Sequence, residues 1–268
     1  MGSSNSNTSA HTGAGGRDAL AVALEDVSQR YGQVTVLGPL SLAIEPGEAV
    51  ALVGPSGAGK TTLLRILAGL LRPTAGRNVL HGEDMAAVKS GAQRSRLVGM
   101  VAQQFDLVPN LSTLNNVLAG RLGQWSFPRA LFSLLFPMEK QSAFDALDRV
   151  GILDRAYLRA GLLSGGEQQR AAIARVLVQD PAIILADEPV ASLDPARAEE
   201  VLRLLVEVTR DSGKTLIASL HAIELARNHF DRIIGLRNGE VHFDLPTSDV
   251  SEARLAELYD LQGMRGEV

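Results

Sequence analysis

Residues Gly54 to Thr62, Gly-Pro-Ser-Gly-Ala-Gly-Lys-Thr-Thr, limit what this chain can fold into more than any other stretch. From Gly54 to Thr61 they follow the pattern G-x-x-x-x-G-K-[ST]. The run before them, Ala49-Val50-Ala51-Leu52-Val53, is short, apolar and partly β-branched, which predicts a buried strand. The run after them, Leu63 to Gly69, predicts a helix. Strand, glycine-rich loop and helix in that order make an anion cradle. Glycines let backbone N–H groups close around phosphate oxygens, and the helix start adds roughly half a positive charge. Lys60 is placed to reach β- and γ-phosphates and the Thr61 hydroxyl to hold Mg²⁺. Gly54, Pro55, Ser56, Gly57, Ala58, Gly59, Lys60, Thr61 and Thr62 are therefore candidate phosphate-binding residues. The competing reading, a glycine-rich turn with an incidental lysine, does not account for the flanks.

Composition narrows the remaining classes. The chain has 268 residues, enough for one large domain or two modest ones. With 46% hydrophobic and 21% charged residues, a packed core is feasible. The net charge of −4 gives no global basic field, so nucleic acid is not an expected partner. The absence of cysteine excludes disulfides, thiolate metal sites and cysteine nucleophiles. No run of about 18 apolar residues is available to span a membrane. Residues 1–18, rich in Ser, Asn, Thr and Gly, are expected to be a disordered tail. Residues 19–250 are assigned to the folded domain and 251–268 to a C-terminal helix and tail.

The rest of the chain supplies weaker signals in a definite order. Ala21–Val27 and Ser41–Ile44 read as strands, with Tyr31 between them. Tyr31 fits either a base-stacking aromatic or a half-buried turn residue. Pro73 to Gly76 reads as a turn, and Arg96 to Ala102 as a strand running into Gln103 and Gln104. A glutamine there can orient water or bind Mg²⁺, or be a solvated loop amide. Residues 105–160 change to helical spacing, at Leu111–Leu122, Arg129–Phe136 and Glu139–Val150, and read as an inserted helical subdomain. Trp125, Phe127, Phe132 and Phe136 serve there as an interface or as a small core.

Leu163-Ser164-Gly165-Gly166-Glu167-Gln168 opens a helix, with Ser164 as N-cap and Glu167 completing a capping box. The same residues also suit a second anion site. Pro181 to Pro189 is an apolar strand ending in Asp187 and Glu188. Such a strand is buried in a parallel sheet, and its carboxyl end is where ligands bind. Adjacent carboxylates call for a cation, which makes Asp187 the natural Mg²⁺ partner and Glu188 a candidate base. Ser192-Leu193-Asp194-Pro195 begins the next helix, over 195–211. Strand Thr215–Leu220 ends at His221, a γ-phosphate contact or a turn histidine. Arg232–Leu236 and Glu240–Phe243 flank the Asn238-Gly239 hairpin turn.

Taken in order, Tyr31, the 54–62 loop, Gln103, Leu163–Gln168, Asp187-Glu188, Ser192–Asp194 and His221 resemble the ATP-binding subunits of ABC transporters. The resemblance covers about residues 21–245, and the Leu-Ser-Gly-Gly-Glu-Gln run is specific to that family among P-loop ATPases. It implies an α/β fold: a P-loop NTPase core, an N-terminal antiparallel β portion and the helical subdomain. It implies ATP and Mg²⁺ as ligands. Tyr31 would stack on adenine, Gln103 would sense the γ-phosphate and help hold Mg²⁺, and Thr61 and Asp187 would hold Mg²⁺. Glu188 would be the base and His221 a γ-phosphate contact. Ser164, Gly165, Gly166 and Glu167 would serve ATP held by a second copy, with Asp194 at the dimer interface. Ala102 departs from the aromatic that many relatives carry before the glutamine, which leaves the register between Gln103 and Gln104 open; Gln103 is the assignment used here.

A narrower resemblance, carried by Asn116–Gly123, the aromatic stretch through Phe136, Ala186–Pro195, Ser219–His221 and Asp231–Leu236, is to phosphonate importer ATPases. It implies an ATPase at the cytoplasmic face of the membrane, working under permease subunits and fed indirectly by an extracytoplasmic solute-binding protein. Two alternatives share that context: a non-transport ABC protein of carbon–phosphorus lyase assembly, and an importer ATPase for phosphate or phosphite.

Overall fold

The structure, a computed structural model, describes residues 20–102, 106–124, 140–191 and 193–259. The N-terminal tail, Gln103, the aromatic stretch 125–136, Ser192 and the last nine residues lie outside them. The described chain opens with an antiparallel pair, β1 (Val22–Tyr31) and β2 (Val34–Ile44), and enters β3 (Ala49–Val53). The 54–59 loop leads into α1 (Lys60–Leu67). β4 (Ala75–Leu80) and the short β5 (Glu83–Asp84) return to the first pair, giving a four-stranded sheet ordered β2-β1-β4-β5. α2 (Gly91–Leu97) then feeds β6 (Val98–Val101). A helical stretch follows, with α3 (Thr113–Leu118), a 3₁₀ segment (Ala119–Gln124), α4 (Lys140–Arg149) and α5 (Gly165–Gln179). The chain continues through β7 (Ile183–Asp187), α6 (Pro195–Asp211), β8 (Thr215–Ser219), α7 (Ile223–His229), β9 (Arg232–Arg237), β10 (Glu240–Pro246) and α8 (Glu252–Tyr259). The second sheet has six strands in the order β10-β9-β3-β8-β7-β6, parallel except for β10 at its edge.

The alternation within β3 shows how the layers are held. Ala49, Ala51 and Val53 pack with Val117, Leu147, Ile173 and Leu202 of the helical side. Val50 and Leu52 point the other way, onto Leu63, Leu64, Ile66 and Leu67 of α1 and onto Val22 and Leu24 of β1. Both faces of the parallel sheet are covered, so its strands are continuous apolar runs and not alternating ones. α1 is sandwiched between the two sheets. That fixes the loop at its start on a rigid base.

The differences from the sequence reading fall where apolar patterning is quiet. Arg96 and Leu97 end α2, leaving Val98–Val101 as strand. α2 buries only Leu97, and α7 only Ala226, so neither leaves a hydrophobic stripe in the sequence. Ala75 and Gly76 already belong to β4, beside an irregularity in β1 between Glu25 and Ser28. The first two strands are longer than expected, so Tyr31 is the last residue of β1 and not a linker. Leu111–Leu122 divides into α3 and a 3₁₀ segment.

The Asn238-Gly239 turn has a second role beyond joining β9 to β10. The Gly239 N–H donates to the Ala58 carbonyl at 3.2 Å, and the Gly239 carbonyl accepts from Gly38 at 3.0 Å. A Cβ at Gly239, where φ is +81°, would lie 2.4 Å from the Val36 carbonyl oxygen. Gly239→Ala is therefore expected to cost about 1–3 kcal/mol through strain and overpacking. Equilibrium urea denaturation measures that loss. Because the turn braces the loop at Ala58, nucleotide affinity should fall with it.

Candidate functional site

Three neighbouring strands of the parallel sheet end at one level. Ser219 of β8 pairs with Leu52 of β3 on one side and with Asp187 of β7 on the other. Beyond these ends come the Gly54 loop, Glu188 and His221. The sheet thus delivers the expected loop, acids and histidine to one carboxyl edge.

The loop is shaped by close approach. A Cβ on Gly54 would lie 2.0 Å from the Leu236 carbonyl oxygen, and one on Gly59 2.5 Å from Leu37 Cδ2. Gly54 and Gly59 have φ of +149° and +101°, so no other residue fits either place. The pocket over the loop, about 200 Å³, is lined by Val36, Ser56, Gly57, Ala58, Gly59, Lys60, Thr61, Thr62, Glu188 and His221. Lys60 Nζ donates to the carbonyls of Gly54 at 2.6 Å and Pro55 at 3.1 Å. Burial lowers the Lys60 pKa from its usual value, while the charges of Glu188 and Asp187 act to raise it.

The acids are held in fixed relation. Thr61 Oγ1 donates to Asp187 Oδ1 at 3.1 Å, and Ser219 Oγ donates to the same oxygen at 2.8 Å. Ser219 Oγ also accepts the Glu188 N–H at 2.9 Å. Glu188 takes a left-handed backbone, φ +47°, and its Oε1 meets His221 Nε2 at 2.5 Å. Among the described residues no group of three or more His, Cys, Asp or Glu is arranged to hold a metal alone. A hydroxyl and a carboxylate side by side still suit Mg²⁺, which takes few protein oxygens and completes its shell with water and phosphate.

Other expected residues lie elsewhere. Tyr31 is 51% exposed at the end of β1 and does not line the loop pocket, whereas Val36 of the next strand does. Ser164, Gly165, Gly166 and Glu167 sit at the start of α5 and do not line it either. Ser164 Oγ accepts the Glu167 N–H at 3.4 Å, and Glu167 Oε2 accepts the Ser164 N–H at 2.8 Å, a complete capping box. Arg155 Nε donates to Glu167 Oε1 at 2.8 Å. The Glu167 carboxylate is thus spent on the cap and on Arg155. Asp194 caps α6 by accepting from Arg197 N at 3.2 Å. Gln103, expected as a γ-phosphate sensor and Mg²⁺ ligand, lies outside the described residues.

Val36 and Ser219 are site residues that sequence reasoning passed over. Val36 leaves no signal in the sequence. Ser219 leaves a faint one: a hydroxyl inside an apolar strand must find a partner, and the strand ends at the site.

Residues 37–191 match the ABC transporter family. A phosphonates import ATP-binding protein of Pseudomonas aeruginosa is 48% identical over 234 residues, which are 86% of this chain and 87% of that protein. The chain belongs to the ABC transporter family. A second relative, a phosphonates import ATP-binding protein of a Nostoc species, is 45% identical over 90% of this ABC chain and 92% of its own length. Among solved structures, the ATP-binding cassette MJ0796, a dimer bound to ADP and Pi, superposes with a TM-score of 0.72 at 32% identity, over 84% of this ABC chain and 98% of its own. The cbiO1 subunit of a Clostridium perfringens ABC transporter complex gives 0.76 at 27% identity, over 92% and 97%.

The capping box of this ABC chain has a pH signature. The Arg155 hydrogen bond first, then the Ser164 backbone, hold Glu167 at a pKa of about 2 against its usual 4.5. A depressed carboxylate pKa adds stability that is fully present above 4.5 and lost as pH falls through 2. Denaturation midpoints compared across that window should show a steeper acid loss in the wild type than in Glu167→Gln. The two proteins should converge toward the acid end.

Proposed function

We propose that the chain is the ATP-hydrolysing subunit of an importer for organic phosphonates. The observation that carries this reading is the 48% identity to the Pseudomonas aeruginosa import protein across 86% of the chain. The geometry around Lys60, Asp187, Glu188 and His221 supports it chemically. The import names of both relatives favour transport over a role in carbon–phosphorus lyase assembly.

ATP enters the loop pocket with its phosphates against the 56–62 backbone. Lys60 exchanges its two loop carbonyls for phosphate oxygens. Thr61 and Asp187 would hold Mg²⁺, with Gln103 as a further ligand, and the ion would supply charge that offsets the phosphates. Glu188 takes a proton from the attacking water while the water oxygen bonds to the γ-phosphorus. The bond from that phosphorus to the ADP oxygen breaks, leaving ADP and phosphate. His221 steadies the Glu188 carboxylate and lies along the same pocket, within reach of the γ-phosphate. Tyr31 stacks on the adenine.

Ser164–Gly166 lie outside this chain's own loop pocket, so they meet ATP only in a second copy. Two chains facing head to tail about a two-fold axis bring each signature onto the other's ATP. The dimeric MJ0796 cassette supports that arrangement. Among the described residues no helix is long and apolar enough to cross a membrane. The import names of the relatives support attachment through permease subunits. The segment after Gln103 and the helical subdomain form the docking side.

Glu188→Gln should lower turnover by about 10²–10⁴-fold with ATP binding retained, the range for loss of a general base. The same variant should form dimers in MgATP and monomers without it when sized by light scattering. Wild-type turnover in Glu188→Gln removes Glu188 as the base. For the solute, ATP hydrolysis by the reconstituted permease complex should rise with a binding protein loaded with 2-aminoethylphosphonate or methylphosphonate. Stimulation by phosphate alone would set the phosphonate reading aside and leave the ATPase chemistry in place.

A further inference from the structure

The end of β8 contains a group that no part of the mechanism above uses. Ser219 is 0% exposed, and it lies between the strand that carries the phosphate loop and the strand that carries the acids. Its hydrogen bonds have a fixed polarity. The Glu188 backbone N–H can only donate, so Ser219 Oγ accepts there, at 2.9 Å. The single hydroxyl proton is then directed to Asp187 Oδ1, at 2.8 Å. One buried hydroxyl therefore holds the side chain of one acid and the backbone of the next.

Both holdings bear on chemistry. Asp187 Oδ1 is engaged by Ser219 and Thr61 together, which sets the carboxylate plane and leaves Oδ2 as the oxygen neither hydroxyl occupies. Glu188 has φ +47°, a conformation that a non-glycine residue keeps only when its surroundings enforce it. Ser219 grips it at the N–H, and His221, two residues further along, meets its carboxylate at 2.5 Å. The end of one strand thus holds the base at its backbone and at its tip.

We propose that Ser219 is a positioning residue for ATP hydrolysis, setting the Asp187 carboxylate toward Mg²⁺ and the Glu188 backbone toward the attacking water. The proposal rests on the roles given above to Asp187 and Glu188. Supporting groups behind a metal ligand typically matter by roughly 10- to 100-fold in activity or metal affinity. A merely space-filling serine would change folding stability and leave the balance between nucleotide binding and turnover alone.

The test uses the full-length chain with Ser219→Ala, Ser219→Cys and Ser219→Thr. Cysteine keeps the volume with a poor donor, so it serves if alanine fails to fold; threonine keeps the hydroxyl. Three quantities are read: kcat, the ATP dissociation constant in EDTA, and the gain in ATP affinity on adding Mg²⁺. The Ala and Cys variants are expected to lose roughly 10- to 100-fold in kcat and most of the Mg²⁺ gain, with metal-free ATP affinity within about twofold of wild type. Threonine should restore most of both. Wild-type kcat and Mg²⁺ gain in the Ala or Cys variant overturns the proposal, and so does a loss that metal-free affinity follows step for step. Glu188→Gln run alongside separates the two levels. If it keeps turnover, the roles of the acids fail and this proposal with them. If it is inactive while Ser219→Ala is unimpaired, only the role of Ser219 fails.

Discussion

The site depends on a backbone that has to pass where no side chain fits. Gly54 runs under the Leu236 carbonyl, and Gly59 runs against Leu37, so the phosphate loop is pinned between the end of β9 and the outer sheet. Neither contact is made by the loop's own side chains. The loop takes its shape from two sheets that come from distant parts of the chain, and the β9–β10 turn adds a hydrogen bond to Ala58. A cradle fixed in this way needs little rearrangement when an anion arrives. That is the condition under which backbone N–H groups stabilise phosphate most.

The charges around the loop follow from the same convergence. Lys60 is drawn below its ordinary pKa by burial, and Asp187 and Glu188 counter that trend. The two acids are adjacent in sequence yet sit in different settings. Asp187 is buried and receives two hydroxyl donors, whereas Glu188 turns through a left-handed step and faces His221. One peptide unit thus presents a rigid carboxylate and, beside it, a carboxylate open to the pocket. Under the proposed function, that difference in surroundings is what lets neighbouring acids take different roles.

α5 has the opposite relation to the pocket. Its capping box closes on itself, with Glu167 committed to Ser164 and Arg155, and its glycines do not line the chain's own loop pocket. Under the proposed function this separation is what makes hydrolysis a property of two copies, because neither pocket is complete in one chain.

Much of this was legible in the sequence. The strand–loop–helix around Lys60, the buried strand ending at Asp187, the Ser164 capping box and the Asn238-Gly239 turn all follow from local patterns. In each, the physical cause lies within a few residues: apolar continuity, a cap three residues from its partner, a turn that needs positive φ. The short helices α2 and α7 and the strand β4 left no such pattern, because each buries too little to impose a period. Only the tertiary structure decided that Ser219 joins both acids, that Val36 and not Tyr31 lines the loop pocket, and that Gly54 must pass beneath Leu236. These contacts link residues 31, 32 and 182 positions apart (Asp187 and Ser219 being 32 apart). Local sequence sets which element forms, but the meeting of elements is set by the burial of both sheet faces at once, and that is a property of the whole chain.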